Sequence, residues 1–544
     1  MAAQVQNETG MKTTLGLTGV TINAMALIAP GAFLWTTFQS QSGTGATSMW
    51  SAVFIATIIA LLTAVAYAAL ASRYPEAGTG SSYYFAEVAI LHKEEHRHFR
   101  FARLAKFLVG WASHLYYWIY PGVMVAFMGS LITYIIQFFN PGFAATPGLG
   151  TTLELIAICV VFSAIVGAIA YIGVTGSTLA SIIINIIQIV ALVVFSIVAI
   201  TFRLSHPANT HFQYIHTNAL SVLVPHDANG FIYQATIAIL LVVGFESATA
   251  LGAEAKNPKR DIPRGVILSL IIQAVIFYFL EYFAANFVMG TYYKGLGPDG
   301  KPATDFTAAA GSIAPIGDLA KIFGGSFGTA FAAILAATVV IALIGTSLAC
   351  LNTGVRVTYA MGKDKELPVI FGFLHGKYRT PHVGVIVLAI ISAIVGSYGV
   401  LSANNLVQVA VISNIGTFIL YGLTCIVCVI AFASVPGRGI FSTLLAPILG
   451  AVLNIAMLAA VVYFAIVGGD PGRTNVIIAG VFSIAWLIIG FLFLFGRKLV
   501  TGVAVLHPED YKSTVQVVSE TPVVSETPAE SETPDIGGVS LAGE

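Results

Sequence analysis

Charged residues are scarce in this chain. Asp, Glu, Lys and Arg make up 9% of its 544 residues, against about 25% in a soluble domain. Its 25 basic and 25 acidic side chains cancel, so it has neither the basic surface that binds nucleic acid nor an acidic excess typical of disorder. Cysteine is scarce too, and all four cysteines lie in apolar runs, which excludes a secreted disulfide scaffold; they are Cys159, Cys350, Cys425 and Cys428.

Long hydrophobic runs are abundant instead. Hydrophobic residues make up 57% of the chain, and about 20 consecutive apolar residues carry a helix across a bilayer. The runs that meet this criterion number twelve: 17–40, 48–71, 105–138, 152–172, 178–202, 231–254, 265–289, 325–355, 383–400, 404–432, 442–467 and 475–496. The sequence therefore predicts an all-α polytopic membrane protein with about 12 transmembrane helices.

The distribution of basic residues predicts the orientation. With the N-terminus in the cytoplasm, 20 of the 25 Lys and Arg residues fall on the cytoplasmic side. The other five, on the outer side, are Arg203, Lys294, Lys301, Lys321 and Arg473. By the positive-inside rule we expect a multi-pass protein of the plasma (inner) membrane with both termini cytoplasmic.

Two of the predicted helices carry a break near mid-membrane. The first run contains Pro30-Gly31, which removes a backbone donor and weakens the helix. The sixth contains Gly244 next to Glu246, in the middle of an otherwise apolar stretch. Broken backbone at that depth is tolerated only where it faces protein or a water-filled cavity, and breaks at matching positions of two repeats are typical of a transporter's binding site.

These breaks predict both the organisation of the chain and the substrate site. The expected segments are an N-terminus (1–14), a first five-helix repeat (15–203), an extracellular loop (204–230), a second, inverted repeat (231–432), two further helices (433–500) and a disordered cytoplasmic tail (501–544) with three Ser-Glu-Thr-Pro repeats. The expected substrate-binding residues at the breaks are Ile28, Ala29, Pro30, Gly31, Ala32, Gly244, Phe245, Glu246 and Ser247.

Acidic residues inside the runs are candidates for proton coupling. Glu246 and Glu281 lie within apolar helices, where an ionisable side chain is costly and usually functional. Either carboxyl group can carry a proton or pair with a substrate ammonium. Glu154 lies near the outer interface and is expected to be solvated, and His114 is expected to be a hydrogen-bonded core residue rather than a proton relay.

Motifs for catalysis or metal binding carry little weight here. Cys425 and Cys428 form a Cys-x-x-Cys pair, but they lie within one membrane run without a second pair of ligands for zinc. His92, His96 and His98 lie in a charged loop, where a solvated surface is the expected structure. With no phosphate-binding loop and no hydrolase nucleophile motif in the sequence, we expect no enzyme activity, no cofactor and no resident metal.

Four stretches resemble the amino acid–polyamine–organocation (APC) superfamily of permeases. They are the broken first helix, the segment from Arg73-Tyr-Pro-Glu to Tyr83, the segment from Gly244-Phe-Glu-Ser to Pro263-Arg264, and the segment from Arg356 to Pro368. The resemblance implies a leucine-transporter-like fold with a 5+5 inverted repeat. It also implies alternating access and transport of amino acids or amines.

The sequence departs from the family at two places. The first break reads Ala29-Pro30-Gly31 where the family commonly has Gly-x-Gly, so one amide that grips a substrate carboxylate is missing. Gln188, with Asn185 one turn earlier, stands where many members have a lysine tied to proton coupling. Without that cation a bound Na⁺ is conceivable, held by the carbonyls of Met25 and Ile28 and the hydroxyls of Thr346 and Ser347.

A further resemblance concerns the substrate. The third run, from Gly110-Trp111 to Tyr120-Pro121, is similar to polyamine and putrescine importers of the superfamily. Together with the missing amide, this favours an amine-bearing substrate, to which Tyr117, with Tyr116 and Tyr120, can add cation–π contact.

The sequence as a whole predicts a secondary active transporter of a small amino acid or organic amine, driven by protons. The alternatives are an exchanger of related solutes, a sodium symporter and, less favoured, a channel or a receptor that binds without transport.

Overall fold

A computed structural model describes the fold of residues 15–28, 30–91, 99–144, 146, 148–173, 178–252 and 254–501. Ala29, the three loop histidines and the Ser-Glu-Thr-Pro repeats lie outside these residues. Nineteen α-helices occur in the described part: α1 (Leu17–Ile28), α2 (Pro30–Gln41), α3 (Met49–Arg73), α4 (Ser82–Leu91), α5 (Phe99–Tyr117), α6 (Tyr120–Phe139), α7 (Leu149–Ile172), α8 (Thr178–Ser205), α9 (Ala219–Leu223), α10 (Ala228–Ala238), α11 (Pro258–Leu270), α12 (Phe279–Val288), α13 (Asp305–Gly311), α14 (Pro315–Phe323), α15 (Gly328–Lys363), α16 (His382–Val400), α17 (Ala403–Phe432), α18 (Ala446–Val467) and α19 (Gly472–Thr501).

Shorter elements interrupt this helical pattern. Two strands, Lys294–Leu296 (β1) and Pro302–Thr304 (β2), pair antiparallel with Lys294 opposite Thr304. Segments of 3-10 helix follow α3 and α10, and a π-helix over Ile271–Tyr278 joins α11 to α12. A π-segment inside a membrane helix often lies at a functional site.

Eleven helical segments among the described residues are long and apolar enough to cross a membrane. They coincide with the second to twelfth predicted runs: 46–73, 102–139, 149–172, 182–205, 228–251, 258–288, 325–363, 382–400, 403–432, 441–467 and 472–496. The first run is the exception, because it consists of α1 and α2, two helices of 12 residues each. The protein is therefore an all-α multi-pass membrane protein, and Ala29, at the predicted break of its first span, lies outside the described residues.

The first predicted span packs inside the helical bundle. Helix α1 packs against α8, α11 and α15, and also against the 3-10 segment Phe245–Leu251. Helix α17 packs against α5, α18 and α19 on another side of the bundle, and α16 packs against α6 and α7. Many residues of α1 and of the 3-10 segment are buried. The described end of α1 therefore lies among other helices, with Leu27 and Ile28 buried.

Candidate functional site

The predicted first break falls between α1 and α2, at Ala29, which lies outside the described residues. Helix α1 ends at Ile28 and α2 begins at Pro30. Proline suits the first position of a helix because its missing N–H would have had no intrahelical partner there.

Three side chains bind the carbonyl groups at the end of α1. Gln273 Nε2 donates to the Met25 carbonyl at 3.0 Å, and the Tyr278 hydroxyl donates to the Ile28 carbonyl at 2.9 Å. The Thr346 hydroxyl donates to the Ala26 carbonyl, also at 2.9 Å. Two of the donors lie in the π-helix. The carbonyls of Met25 and Ile28, which the sequence analysis named as candidate sodium ligands, thus already accept hydrogen bonds from side chains.

Gln188 lies directly against the start of α2. Its Nε2 atom is 2.9 Å from the position that a Cβ on Gly31 would occupy, so only glycine fits there without displacing the amide. Gln188 is 3% exposed, and its Nε2 has no hydrogen-bond partner among the residues that the structure describes. A buried donor left in this way is normally matched by a ligand or a water molecule.

The second break lies in the sixth predicted span. Helix α10 ends at Ala238, and a second 3-10 segment, Phe245–Leu251, follows Gly244. Gly244 has a φ of 113°, in the region that strongly favours glycine. Asn414 in α17 donates to the carbonyls of Thr236 and Ile237, at 2.8 Å and 3.3 Å. These bonds replace helical ones that the break removes.

Glu246 is fully buried beside this break. Its Oε2 accepts hydrogen bonds from the Gly244 amide at 2.9 Å and from the Tyr421 hydroxyl at 2.6 Å. Its Oε1 has no partner within the described part of the chain. Ser247 points back to the Gly244 carbonyl at 2.6 Å, so its hydroxyl stabilises the turn. The site therefore presents one free carboxyl oxygen.

Aromatic rings surround the glutamate. Phe245 lies 5.2 Å from Tyr421 and 5.9 Å from Tyr67, measured between ring centroids. The other buried tyrosines within electrostatic range of Glu246 are Tyr116, Tyr117 and Tyr120. Tyr117 was predicted from the sequence to line the site, and this position is compatible with that role.

The second break contacts the end of α1. A Cβ on Gly244 would lie 2.5 Å from Leu27 Cδ2, one residue before the end of α1. The glycine thus allows the second break to contact the first half-helix.

Glu281 lies apart from the breaks, in α12. It is 1% exposed, and neither carboxyl oxygen has a hydrogen-bond partner among the described residues. Tyr278 and Tyr282 are its electrostatic neighbours. Tyr278 binds the end of α1, so Glu281 adjoins the residues that hold the first break.

His114 and the cysteine pair have structural surroundings. His114 Nδ1 lies 2.6 Å from the Gly110 carbonyl and Nε2 lies 3.2 Å from the Thr358 hydroxyl, as expected for a hydrogen-bonded core histidine. Cys425 and Cys428 are buried free thiols in α17. No group of three or more potential metal ligands occurs in the described part of the chain.

The sequence motifs around the breaks contact one another on one side of the bundle. Ser81 and Thr249 share a hydrogen bond of 2.7 Å, and Arg356 pairs with Glu254 at 2.8 Å. Lys106 in α5 contacts Glu87 at 2.6 Å and Asp364 at 2.5 Å, with all three side chains almost fully buried. These contacts join α4, α5 and α15 to the segment at and after the second break.

A helix that turns at Gly244 against the end of α1, with an unsatisfied carboxyl oxygen beside the turn, is typical of membrane transporters. The sequence matches the amino acid permease family over residues 19–506, and the chain belongs to that family. Members are permeases, so the resemblance to the APC superfamily and the prediction that the protein is not an enzyme are confirmed.

Three relatives show the range of solutes in similar proteins. The branched-chain amino acid permease BcaP of Bacillus subtilis is 23% identical over 442 residues, or 78% of this chain and 83% of the relative. BcaP of Lactococcus lactis is 29% identical over 362 residues, or 63% and 67%. The low-affinity putrescine importer PlaP of Escherichia coli is 26% identical over 422 residues, or 76% and 79%. The chain is thus similar to transporters of amino acids and of amines.

Sequence reasoning missed several residues that shape the site. Gln273, Tyr278, Asn414 and Tyr421 bind the broken backbone or Glu246. A signal was available for two of them, because an amide side chain inside an apolar helix usually needs a partner. The tyrosines gave no such signal.

Proposed function

We propose that this protein is a proton-coupled importer of a zwitterionic amino acid that works by alternating access. One observation carries the proposal: a buried donor, Gln188 Nε2, lies at the first break, and a buried acceptor, Glu246 Oε1, lies at the second, both without a partner in the described chain. A substrate carboxylate at the first and an ammonium at the second would satisfy both atoms.

The position of Gln188 favours a substrate with a carboxylate over the amine-bearing substrate that the sequence favoured. The sequence suggested that Pro30 removes one donor for a carboxylate. The Gln188 amide lies against Gly31 and supplies another donor at the same place. The family resemblance supports either solute class, since its members include the branched-chain and putrescine permeases named above.

Protons are favoured over sodium as the driving ion. The carbonyls of Met25 and Ile28 already accept side-chain hydrogen bonds, and so does that of Ala26 between them, whereas a sodium site needs such oxygens as ligands. Ser347 is buried without a partner among the described residues, so one expected ligand remains available. Glu246 and Glu281 are the proposed proton carriers.

The proposal includes the predicted architecture. Twelve crossings, counting α1 and α2 as one, would form two inverted five-helix repeats with two additional helices. Both termini would then be cytoplasmic in the plasma membrane, and the side closed by Lys106 and Arg356 would face the cytoplasm.

The first test is a thermal-stability screen of detergent-purified protein against amino acids and their decarboxylated amines. A ligand at 100 times its dissociation constant stabilises by about 2.7 kcal/mol. We expect an amino acid, and not its amine, to raise the melting temperature of the wild type, and Gln188→Leu to lose this response while melting normally without ligand. Stabilisation by amines alone would contradict the carboxylate assignment.

The second test measures uptake into proteoliposomes. Accumulation against a gradient that collapses with a protonophore, and is indifferent to sodium, supports the proton mechanism. Sodium dependence abolished by alanine at Thr346 and Ser347 would favour a sodium symporter. Flux that occurs only with internal solute would favour the exchanger, and binding without flux a receptor.

A further inference from the structure

A basic pocket lies outside the proposed transport site, where α3 ends and α11 begins. It has a volume of about 620 Å³. Four of the residues that line it are cationic, Lys256, Lys259, Arg260 and Arg264, and Ser72 and Pro75 line its opposite wall. The pocket is thus concave and strongly positive.

The positive charge of this pocket is largely uncompensated. Arg260 lies 3.3 Å from Asp261, as one ion pair. The other three cations form no ion pair with any residue that the structure describes. Like charges held around one cavity repel each other, so an anion in the cavity would be strongly favoured.

The location of the pocket identifies the kind of anion. Helix α3 ends at Arg73 and α11 begins at Pro258, and both belong to segments apolar enough to cross a membrane. The pocket therefore lies at the depth of the lipid headgroups, with apolar helix surface beginning directly beside it.

We propose that this pocket binds the phosphate of an anionic phospholipid headgroup. The phosphodiester would contact Lys256, Lys259 and Arg264, and the acyl chains would lie along α3 and α11. Basic pockets between membrane helices on the cytoplasmic side are suited to anionic headgroups, because cations near the membrane surface attract them.

The bound headgroup would also act on the moving parts of the transporter. The Lys256 amide donates to the Leu15 carbonyl at 2.7 Å, and the Leu15 amide donates to the Glu254 carbonyl at 3.0 Å. The pocket wall is therefore joined to the residues just before α1 and just after the second break. Gly265 in α11 also packs closely on Val20 of α1.

The test titrates phosphatidylglycerol into purified, delipidated protein in neutral detergent and counts bound lipids by native mass spectrometry. The variant combines Lys256→Gln, Lys259→Gln and Arg264→Gln. The matched control combines Lys363→Gln, Lys377→Gln and Arg379→Gln, which removes the same charge from exposed cations outside the pocket. Phosphatidylcholine serves as the lipid without net charge, and inorganic phosphate is titrated separately.

We expect saturable binding of one phosphatidylglycerol, at least tenfold weaker in the pocket variant and within twofold of wild type in the control. Both variants should melt as the wild type does without lipid. Equal losses in the two variants would mean general charge attraction and would overturn the proposal. Stabilisation by inorganic phosphate with no preference for phosphatidylglycerol over phosphatidylcholine would also overturn it, in favour of a soluble phosphate ligand.

Discussion

At the scale of single residues, Glu246 carries the most chemistry. Its Oε2 is held by Gly244 and Tyr421, while Oε1 remains open. The fixed oxygen orients the carboxyl group, so the other can accept a proton or an ammonium without rearrangement of the turn. This division of roles follows from the break, because the Gly244 amide is free only where the helix has unwound.

Glu246→Gln should abolish substrate-dependent transport while leaving the protein folded. The amide is nearly isosteric, but it can neither carry a proton nor offer a charged oxygen to an ammonium. Proteoliposome uptake and ligand-induced melting shifts measure the effect. Glu154→Gln, at an exposed position of α7, is the control and should transport normally. Near-normal uptake by the Glu246 variant across pH would remove this residue from the mechanism.

His216, in the loop between α8 and α9, predicts a pH effect on stability. Burial, more than the neighbouring His226 ring, lowers the pKa of His216 to about 4. His216 Nδ1 hydrogen-bonds to the Ser221 carbonyl, and the Arg203 side chain donates a hydrogen bond to the backbone carbonyl of His216. Protonation would place a charge beside Arg203 and His226. Because the folded state favours neutral His216, its contribution to stability is present above about pH 6.5 and is lost as the pH falls toward 4.

His216→Gln should therefore flatten the fall in melting temperature between pH 7 and pH 5. Thermal unfolding in detergent at both pH values measures this difference. His211→Gln changes an exposed histidine of the same loop and should retain the wild-type pH dependence. An unchanged slope in the His216 variant would show that another group governs acid stability.

At the scale of elements, the end of α1 depends on the π-helix that joins α11 to α12. The π-helix places both Gln273 and Tyr278 against α1, where they bind carbonyls at Met25 and Ile28. A helix end buried without such partners would leave costly unsatisfied carbonyls. The side chains of the π-helix therefore bind backbone carbonyls at the end of α1, as the Asn414 side chain binds backbone carbonyls before the second break.

Tyr278→Phe should lower stability by about 1 kcal/mol, since it removes one hydrogen bond to a buried carbonyl and keeps the ring. It should also weaken ligand-induced stabilisation, because the first break becomes less ordered. Tyr359→Phe, at a half-buried position of α15, is a matched control. A Tyr278 variant with unaltered melting and unaltered ligand response would show that the bond to Ile28 is unimportant.

At the scale of the whole molecule, a few buried charges tie separate helices together. Lys106 joins α5 to Glu87 in α4 and to Asp364 just after α15, and Arg103 bonds Glu366 at 3.1 Å. The Tyr83 hydroxyl also donates to Asp364 at 3.0 Å. In the proposed alternating-access cycle, opening this side must separate or hydrate these charges.

Lys106→Met should destabilise the protein by about 3–5 kcal/mol, because two buried carboxylates lose their shared cation. Melting temperature and yield of folded protein measure the loss. Lys301→Met removes an exposed pair with Asp299 and should have no measurable effect. Adding Glu87→Gln to Lys106→Met should recover part of the stability. Failure of this double variant to recover would argue against charge as the cause.

Much of this architecture could be predicted from the sequence. The membrane class and the family are confirmed, and eleven predicted runs coincide with long apolar helices. The left-handed turn at Gly244 falls where the sequence placed the second break, whereas Ala29, at the predicted first break, lies outside the described residues. The inverted repeat, the topology and the coupling ion remain predictions.

By itself, the sequence determined where the long apolar helices lie and where one of them turns, at Gly244. Hydrophobic length, proline and glycine act within a few residues, so their effects can be predicted locally. Only the tertiary structure decided that Gln188 meets Gly31, that Tyr421 binds Glu246 and that the π-helix binds the end of α1. These contacts join helices far apart in the chain, and packing rather than spacing decides which polar atoms they leave for a substrate.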